Sequence, residues 1–403
     1  MHIAMLSAEY PPRWGGMGST VFHLSSALAS RGHNVTIITR NGGGKNIPSI
    51  PGVEVISVGW LRIPMEFTRS YGRTALRALK KLNKSNPVDV VHLHCPMISW
   101  TEKQFRYCKM NIGPIVSSLH GSWLGEKDGL LTAKEQKETA VWANPNDLAI
   151  LLTSKRYAKF ENQALSGSDV CVANSEATKR DFISRYSPPT DWDCEVIHWG
   201  VDTEMFTPAE TRDKDLRRRF GCSEEDILLL AVGRLAARKG YGSLLRAFAL
   251  VNSEFSNSKL VIVGRGHLRK RLLNQAHSLG ISSSVYIESS MSFEELAKLF
   301  TNADLTVYPS YYEGQGLIPL ESMSSGTPVV TVNHGPLPEM VDSAVGSLFQ
   351  MGNINSMSST IIKEISNMDV LKDKGIAGRK RVLQKFTYEI DAESFIEIYD
   401  RIQ

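Results

Sequence analysis

Short apolar runs rich in β-branched residues alternate with helical patterns along most of the 403-residue chain. This alternation is typical of parallel α/β layers, in which a helix follows each strand and returns the chain to the same end of the sheet. In the first half, the predicted strands are Ile3–Ala8, Val35–Arg40, Val53–Val58, Val88–His94, Ile115–His120, Val170–Ser175 and Val196–Val201. In the second half, they are Ile227–Leu235, Lys259–Val263, Val285–Glu288, Leu305–Pro309 and Val329–Val332.

The two series of strands are separated by the polar run Asp202–Glu225, which has no strand periodicity. Linkers between domains are typically exposed and polar, and a domain usually holds about 150 residues. The sequence therefore predicts an α/β fold with two doubly wound, Rossmann-like domains facing a central cleft. We assign residues 1–201 to the first domain, 202–225 to a linker and 226–387 to the second domain. An amphipathic helix is predicted at the C-terminus.

The composition is that of an ordinary soluble globular chain, with 42% hydrophobic and 22% charged residues. A net charge of +4 does not indicate a nucleic-acid-binding coat. The five cysteines are odd in number and lack the spacing of zinc ligands, which favours a reducing compartment. The chain opens with a strand-like run instead of a signal sequence, and no stretch approaches the roughly 18 to 20 apolar residues of a membrane span. We expect a cytoplasmic protein.

Three glycine-containing loops follow predicted strands, and each could approach an anion. The loop Glu9–Gly18 is either a phosphate or sugar cradle or a tight turn, because it matches neither a dinucleotide fingerprint nor a P-loop. The loop Gly233–Gly240 carries Arg234 and Lys239, two cations suited to a diphosphate; the alternative is a solvated basic turn. The third loop, which contains Gly264, lacks the third glycine of a dinucleotide site.

The segment Glu313–Pro328 places two carboxylates on either side of a Gly-x-Gly turn. Glu313 precedes a predicted helix and Glu321 lies within it, so that both can face one pocket. Carboxylates accept hydrogen bonds from sugar hydroxyls, and amides at a helix N-terminus suit phosphate oxygens. A capped surface helix is the alternative, but it does not explain the tight placement of the glycines and the proline.

These motifs together resemble the retaining nucleotide-sugar glycosyltransferases of family 4, which have the GT-B fold. The resemblance rests on the spacing of Glu313 and Glu321, on the loop Gly233–Gly240 and on the opening glycine loop. It extends to Gly200-Val201-Asp202 and to Phe386-Thr387-Tyr388. The last motif implies that helix 388–403 packs back on the first domain.

The resemblance also implies roles for single residues. Arg234 and Lys239 would neutralise the donor diphosphate, Glu321 would hold the ribose and Glu313 the donor sugar. The donor-binding set also includes Gly16, Gly264, Gly314, Gln315, Gly316 and Leu317. Gln315 stands where relatives usually carry an aromatic residue, so the identity of the donor sugar stays open.

His120 is similar to the active-site histidine that the family places near the C6 hydroxyl of the sugar. A histidine that ends a strand is otherwise more often structural. By this resemblance the catalytic set is His120, Glu313, Arg234 and Lys239, and the donor is a UDP- or GDP-sugar.

Two further patterns have alternative interpretations. Asp191-Trp192-Asp193 has the form of a metal-binding motif from glycosyltransferases of another fold, but it lies in a proline-containing loop. We expect no metal and no other cofactor, since Arg234 and Lys239 can neutralise the phosphates. The basic amphipathic stretch 71–84 is either a solvated helix face or a contact for anionic lipid or a phosphorylated acceptor.

The predicted reaction is transfer of a sugar to a hydroxyl acceptor such as a glycan, a lipid-linked or a phosphorylated acceptor. The alternatives are a sugar-nucleotide epimerase of the same fold and a non-catalytic nucleotide-sugar-binding protein. A phosphorylase of the same fold is a further alternative, and its reaction would require phosphate. A dehydrogenase is disfavoured by the missing third glycine in both candidate loops. The oligomeric state does not follow from the sequence.

Overall fold

The computed structural model describes residues 1–12, 15–41, 47–138, 141, 144–289 and 291–403. Contacts divide the chain into two compact units. Unit 1 comprises Met1–Lys127, Leu148–Gly200 and Tyr388–Gln403, and unit 2 comprises Asp128–Asp147 and Val201–Thr387. The chain therefore passes from one unit to the other four times.

Unit 1 is built on a parallel sheet of seven strands in the order β3-β2-β1-β4-β5-β6-β7. The strands are β1 (His2–Leu6), β2 (Asn34–Arg40), β3 (Val53–Val58), β4 (Val90–Cys95), β5 (Ile115–Leu119), β6 (Val170–Ala173) and β7 (Cys194–Val196). Strand order reverses between β1 and β4, which is the point where ligands bind to doubly wound sheets.

Helices connect the strands of this sheet. They are α1 (Gly16–Ser30), α2 (Glu66–Ser85), α3 (Glu102–Asn111), α4 (Trp123–Glu135), α5 (Pro145–Gly167) and α6 (Glu176–Arg185). The boundaries between the two units fall inside α4 and α5. The basic helix α2 is longer than the predicted stretch 71–84.

Unit 2 is built on a parallel sheet of six strands in the order β10-β9-β8-β11-β12-β13. The strands are β8 (Ile227–Val232), β9 (Ser258–Val263), β10 (Val285–Glu288), β11 (Leu305–Tyr308), β12 (Val329–Val332) and β13 (Gly346–Phe349). The helices are α7 (Lys214–Arg219), α8 (Tyr241–Glu254), α9 (Arg269–Ser278), α10 (Phe293–Asn302), α11 (Leu317–Ser324), α12 (Leu337–Met340), α13 (Ile354–Ile365) and α14 (Met368–Lys385).

The central strands are buried along their whole length in both units. All residues of β1 and of β8 are buried, because helices cover both faces of a doubly wound parallel sheet. This burial explains why these strands read as continuous apolar runs in the sequence. It also leaves polar side chains mainly at the strand ends, where the loops begin.

The predicted linker 202–225 differs from what the structure shows. This stretch belongs to unit 2, and its residues Phe206, Phe220 and Cys222 are buried in the core of that unit. The stretch also contains α7, whose Asp213 N-cap accepts hydrogen bonds from two backbone amides. Its charged residues make the stretch look like a linker, while a few apolar side chains fix it to the core.

Two strand predictions also differ from the structure. The seventh strand is Cys194–Val196, whereas we expected Val196–Val201. Strand β13 was not predicted, because its four residues begin with a glycine and show no long apolar run.

The segment Asp128–Asp147 was assigned to the first domain, but it belongs to unit 2. Glu138 fixes this segment to the start of α8. Its carboxylate accepts hydrogen bonds from the amides of Gly242 and Ser243, at 2.9 and 2.7 Å, and from the hydroxyl of Tyr311 at 3.1 Å. A carboxylate at this position also interacts favourably with the helix dipole.

The C-terminal helix α15 (Tyr388–Ile402) belongs to unit 1. Its residues Ala392, Phe395 and Tyr399 are completely buried. At its N-terminal end, the ring of Tyr388 stacks on that of His23 in α1, with centroids 4.9 Å apart. The last segment of the chain therefore packs against the first segment and contributes to the core of unit 1.

Two observations bear on the environment of the chain. Among the described residues, no helix is long and apolar enough to span a membrane. All five cysteines are free and buried, and a buried free cysteine packs as a small apolar residue.

Candidate active site

The loop after β8 is shaped by two glycines with positive φ angles, Gly233 at +142° and Gly240 at +72°. A Cβ atom on Gly240 would lie 2.3 Å from the carbonyl oxygen of Pro309, so this position requires glycine for space as well as for conformation. Helix α8 begins directly afterwards, at Tyr241. The loop therefore holds Arg234 and Lys239 at the carboxyl edge of the sheet.

Lys239 is buried, with 8% of its surface exposed, and its ammonium group has two protein partners. It forms an ion pair with Glu313, and it donates a hydrogen bond of 2.9 Å to the hydroxyl of Tyr308. The Tyr308 hydroxyl in turn donates to the Glu313 carboxylate at 2.7 Å. We call Lys239, Tyr308 and Glu313 the Lys–Tyr–Glu cluster.

Both charged members of the cluster have shifted pKa values. Burial lowers the pKa of Lys239 to about 8, assisted by Arg238 and Arg234 and opposed by Glu313. Burial would raise the pKa of Glu313, but Lys239 and Arg238 outweigh it and hold the value at about 2. Glu313 is therefore a carboxylate at neutral pH. Burial, together with Glu313, raises the pKa of Tyr308 well above its usual value, so that its hydroxyl stays protonated.

Two arginines surround the cluster. Arg238 lies 3.7 Å from the Glu313 carboxylate and donates to the carbonyl of Tyr312 at 3.0 Å. Arg234 is exposed and is near enough to lower the pKa of Lys239. Lys239, Arg238 and Arg234 thus place three cations near the Glu313 carboxylate, which suits an anionic ligand.

Gly264 lies on the adjacent loop after β9. A Cβ atom here would lie 1.8 Å from the carbonyl oxygen of Gly233. The two loops therefore pack backbone against backbone, and a side chain at position 264 would force them apart. The structure thus gives Gly264 a packing role in shaping the predicted donor site.

The segment that contains Gly314, Gln315, Gly316 and Leu317 leads into α11. Gly316 precedes the helix with a φ angle of +100°, and Leu317 is the first helical residue. Gln315 is almost completely buried, at 3% exposure. The turn therefore places the N-terminus of α11 beside Glu313, with amide donors in the first turn of the helix.

Glu321 lies one turn further along α11 and is half-buried. Burial and the nearby Asp202 raise the pKa of its carboxyl group to about 7. Its carboxylate accepts no hydrogen bond from any residue that the structure describes. It is thus available to a ligand hydroxyl, and it forms no hydrogen bond or ion pair with the described residues of the Lys–Tyr–Glu cluster.

In unit 1, the glycine loop after β1 leads into α1, which begins at Gly16. Gly16 is exposed, and a Cβ atom on the preceding Gly15 would lie 2.6 Å from the Glu9 carboxylate, which would have to move to make room. Arg13 and Trp14 of the predicted loop lie outside the described residues. The structure therefore places Gly16 at a helix N-terminus, where the helix dipole favours anions.

His120 follows β5 and precedes Gly121, which has a φ angle of +124°. Its ring stacks on that of Trp199 with centroids 5.0 Å apart, and its Nε2 atom lies 2.9 Å from Nδ1 of His94. The loop after it is held by buried Glu161, whose carboxylate accepts from the amide of Trp123 at 3.0 Å. Burial raises the pKa of Glu161 to about 8.

Sequence reasoning missed several of these contacts. Tyr308, Arg238, His94 and Glu161 were not predicted as site residues. The available signal was their position, since Tyr308 and His94 lie at the carboxyl ends of central strands. Their partners are distant in the sequence, however, and the pattern did not show which side chains meet.

The apparent metal motif lies on the surface. The carboxylate of Asp193 is 3.2 Å from the guanidinium of Arg401, and both side chains are about half exposed. Among the described residues, no group of three or more histidine, cysteine, aspartate or glutamate side chains could hold a metal ion.

Comparison with known proteins adds to this geometry. Residues 14–205 match the model for Glycosyltransferase Family 4, and residues 212–381 match the model for Glycosyl transferases group 1. An uncharacterized glycosyltransferase from Methanocaldococcus jannaschii is 27% identical over 410 residues, covering 99% of this chain and 98% of the relative. Glycogen synthase from Mycobacterium tuberculosis is 27% identical over 420 residues, covering 99% and 94%.

A solved structure has a similar fold. The sucrose-phosphate synthase from Thermosynechococcus elongatus matches with a TM-score of 0.82 at 21% identity. The match covers 99% of this chain and 98% of that structure.

Proposed function

The chain belongs to the glycosyltransferases of family 4 and has their GT-B fold, and on this premise we propose that it transfers a sugar from a nucleoside diphosphate donor to a hydroxyl acceptor with retention at the anomeric carbon. The donor class is a UDP- or GDP-sugar. The observation that carries the proposal is the Lys–Tyr–Glu cluster with its neighbouring arginines, because together they combine cations for a diphosphate with a buried carboxylate for a sugar hydroxyl.

The cations act on the leaving group. Cleavage of the bond between the anomeric carbon and the diphosphate leaves negative charge on the phosphate oxygens. Lys239 and Arg234 stabilise this charge as it develops, and Lys239 lowers the barrier further because its partners already hold it in place. The burial of Lys239 strengthens the effect, since electrostatic interactions are larger where water is excluded.

The other residues orient the donor. Glu321 accepts hydrogen bonds from the ribose hydroxyls, and Glu313 accepts one from the donor sugar. The amides of Gln315, Gly316 and Leu317 hold the sugar and the distal phosphate. In unit 1, Gly16 approaches the diphosphate or the acceptor, and His120 contacts the donor sugar.

The proposed chemical step is a front-face displacement through an oxocarbenium-like transition state. The bond from the anomeric carbon to the phosphate oxygen breaks, and the acceptor hydroxyl bonds to the same face of that carbon. The leaving phosphate takes the proton of the acceptor hydroxyl, so no separate base is required. We propose that the reaction is independent of metal, because Arg234 and Lys239 supply the positive charge.

The acceptor is proposed to be a glycan, a lipid-linked or a phosphorylated molecule. Helix α2 supports a lipid-linked or a phosphorylated acceptor, because four of its basic residues are exposed: Arg73, Arg77, Lys81 and Lys84. Cations on a helix face attract phosphate groups and anionic lipid headgroups. The protein would then work in the cytoplasm, at the membrane surface where the acceptor is a lipid.

The first experiment identifies the donor. We expect UDP- or GDP-sugars to raise the melting temperature of the wild-type protein in a thermal-shift screen, because ligands that bind the folded state stabilise it. Lys239→Ala should abolish the shift. The matched control is Lys372→Ala, since Lys372 is exposed and, of the residues that the structure describes, pairs only with Asp369 on its own helix.

The second experiment tests the reaction. Nucleoside diphosphate should be released only when an acceptor is present, and the glycoside bond should keep the anomeric configuration of the donor, as read by NMR. Undiminished transfer in Lys239→Ala or Glu321→Ala would overturn the residue assignments. Release without an acceptor would favour an epimerase, and binding without release would favour a non-catalytic protein.

A further inference from the structure

Three histidine rings form a row in unit 1. His92 and His94 lie two residues apart on β4, so both side chains point to the same face of the sheet. Their rings stack with centroids 4.4 Å apart, and the rings of His94 and His120 are 5.2 Å apart. His92 and His94 are completely buried, whereas His120 is half-buried at the edge of the sheet.

His92 has a partner for each ring nitrogen. Its Nδ1 atom lies 2.7 Å from the hydroxyl of Tyr399 on α15, and its Nε2 atom lies 2.6 Å from the hydroxyl of Ser118 on β5. Both ring nitrogens of His92 are therefore hydrogen-bonded within the core. It makes no hydrogen bond to His94.

His94 has a partner for only one nitrogen. Its Nδ1 atom is 2.9 Å from Nε2 of His120. Its Nε2 atom is buried and has no hydrogen-bond partner among the residues that the structure describes. Burial lowers the pKa of His94 well below its usual value and that of His120 to about 3, so both rings are neutral at pH 7.

Two neutral rings joined by one hydrogen bond allow two arrangements of their protons. If Nε2 of His120 were the donor, His94 would carry its own proton on Nε2, as a buried N–H group with no acceptor. If Nδ1 of His94 is the donor, the buried Nε2 atom of His94 is only an unused acceptor. Unpaired buried N–H groups are the rarer of the two in folded proteins, since they lose their hydrogen bond to water without replacement.

We propose that His94 is a positioning residue, which donates from Nδ1 and thereby holds His120 as the neutral tautomer with its proton on Nδ1. Nδ1 of His120 makes no hydrogen bond to a described residue and is not buried. His120 therefore offers an N–H donor to its ligand, and it acts neither as a cation nor as a base. Its partner is therefore a hydrogen-bond acceptor, and under the proposed function this is a hydroxyl oxygen of the donor sugar.

The orientation of the His120 ring is fixed by a second set of contacts. Trp199 stacks on His120 with an angle of 14° between the ring planes, and Phe395 of α15 stacks on Trp199 at 12°. Stacking fixes the plane of the ring, but it does not distinguish one ring nitrogen from the other. The hydrogen bond from His94 makes that distinction.

Three substitutions separate this role from simple core packing. His94→Asn keeps an N–H donor near the position of Nδ1, because the asparagine amide can replace that part of the ring. His94→Leu removes the donor and keeps an apolar side chain. His94→Gln is polar but carries its amide further out, near the position of Nε2. The control is His277→Leu, since His277 is exposed on α9 of unit 2.

The direct readout is the tautomer of His120 in the ligand-free, full-length protein labelled with ¹⁵N-histidine. The His120 signals are identified as those missing from the spectrum of His120→Ala. We expect protonated Nδ1 and unprotonated Nε2 in the wild type and in His94→Asn, and loss of this tautomer in His94→Leu and His94→Gln. Turnover should fall about tenfold or more in the last two variants, the loss expected for one positioned hydrogen bond, and His94→Asn should keep most of it.

The outcomes distinguish the inference from the proposed function on which its last step rests. A His120 that is charged at pH 7, or protonated on Nε2 in the wild type, overturns the role of His94 whatever the activity. An unchanged tautomer in both His94→Leu and His94→Gln does the same. If His94→Leu does not fold, comparison of the His120 tautomer in His94→Asn and His94→Gln still tests the role of His94. Full turnover in His120→Ala with the expected tautomer would instead contradict the proposed function alone.

Discussion

At the scale of single residues, Glu321 should make donor binding depend on pH. Its pKa of about 7 is raised by burial and by Asp202, and only the ionised form accepts hydrogen bonds with both oxygens. The ionised fraction rises roughly tenfold between pH 6 and pH 8 for such a group. We therefore expect the affinity for the nucleoside diphosphate to increase by up to about tenfold over this interval.

Calorimetric titration at constant ionic strength measures this dependence. Glu321→Gln provides the comparison, because its amide does not titrate. It should bind more weakly than the wild type at pH 8 and show little change with pH. An equal slope in both proteins would assign the dependence to another group.

A second prediction concerns the hydroxyl of Tyr308, which joins Lys239 to Glu313. Tyr308→Phe removes this bridge and leaves the ring in place. We expect turnover to fall about tenfold, and stability to fall by about 1–3 kcal/mol, because two buried charged groups each lose a hydrogen bond. Steady-state kinetics and urea unfolding measure the two effects.

The matched control for this change is Tyr286→Phe. Tyr286 is half-buried on β10, and its hydroxyl makes no hydrogen bond to a described residue. Normal kinetics in Tyr308→Phe would mean that Glu313 and Lys239 hold each other without the bridge.

At the scale of secondary-structure elements, Glu138 connects the segment Asp128–Asp147 to helix α8. Glu138→Gln keeps the size of the side chain, but it removes the charge that faces the helix N-terminus and places an amide NH₂ group near two N–H donors. We expect a loss of about 1–3 kcal/mol in the free energy of unfolding. Glu135→Gln is the control, since Glu135 is exposed at the end of α4.

Thermal and urea unfolding would measure the loss. Because α8 directly follows Lys239, donor affinity should fall together with stability in Glu138→Gln. A variant as stable as the wild type would show that the hydrogen bond from Tyr311 and those from the two amides tolerate a neutral partner.

The bounds of the strands show how much of this fold follows from the sequence. Strands such as β3, β10 and β12 were predicted with their observed bounds, because apolar runs bounded by loops identify buried strands directly. Strand β13 was missed, since four residues carry too little pattern. The burial of Phe206 and Phe220 in the predicted linker was missed because only tertiary contacts reveal it.

The candidate site was predicted unevenly for a related reason. Lys239 and Glu313 were predicted from local motifs and His120 from the family resemblance, and each prediction rests on a short stretch of the chain. The partners that hold them lie elsewhere in the chain: Tyr308 is 69 residues from Lys239, and His94 is 26 residues from His120. Contacts of this kind depend on strand order, which the sequence pattern alone did not fix.

At the scale of the whole molecule, the connectivity makes the folding of unit 1 depend on the end of the chain. Unit 1 is assembled from three separate segments, and the last of them is α15. Phe395 and Tyr399 of this helix are completely buried, and Tyr399 hydrogen-bonds to His92 of β4. The longer segment of unit 2, Val201–Thr387, ends just before this helix, and its first and last residues form a β-bridge with each other.

Deletion of residues 388–403 should therefore weaken unit 1 selectively. The deletion removes the buried side chains of α15 that contact His92 of β4, and it leaves Nδ1 of this histidine without its Tyr399 partner, although Nε2 keeps Ser118. The strands of unit 2 lose no core residue. Hydrogen exchange measured by mass spectrometry should show faster exchange in β1, β4 and β5, with β8, β9 and β11 still protected, because regions that lose buried contacts open more easily. Removal of the exposed last residue, Gln403, alone should change neither set. Equal loss of protection in both sheets would contradict this prediction. It would show that the two units unfold together, although each has its own core.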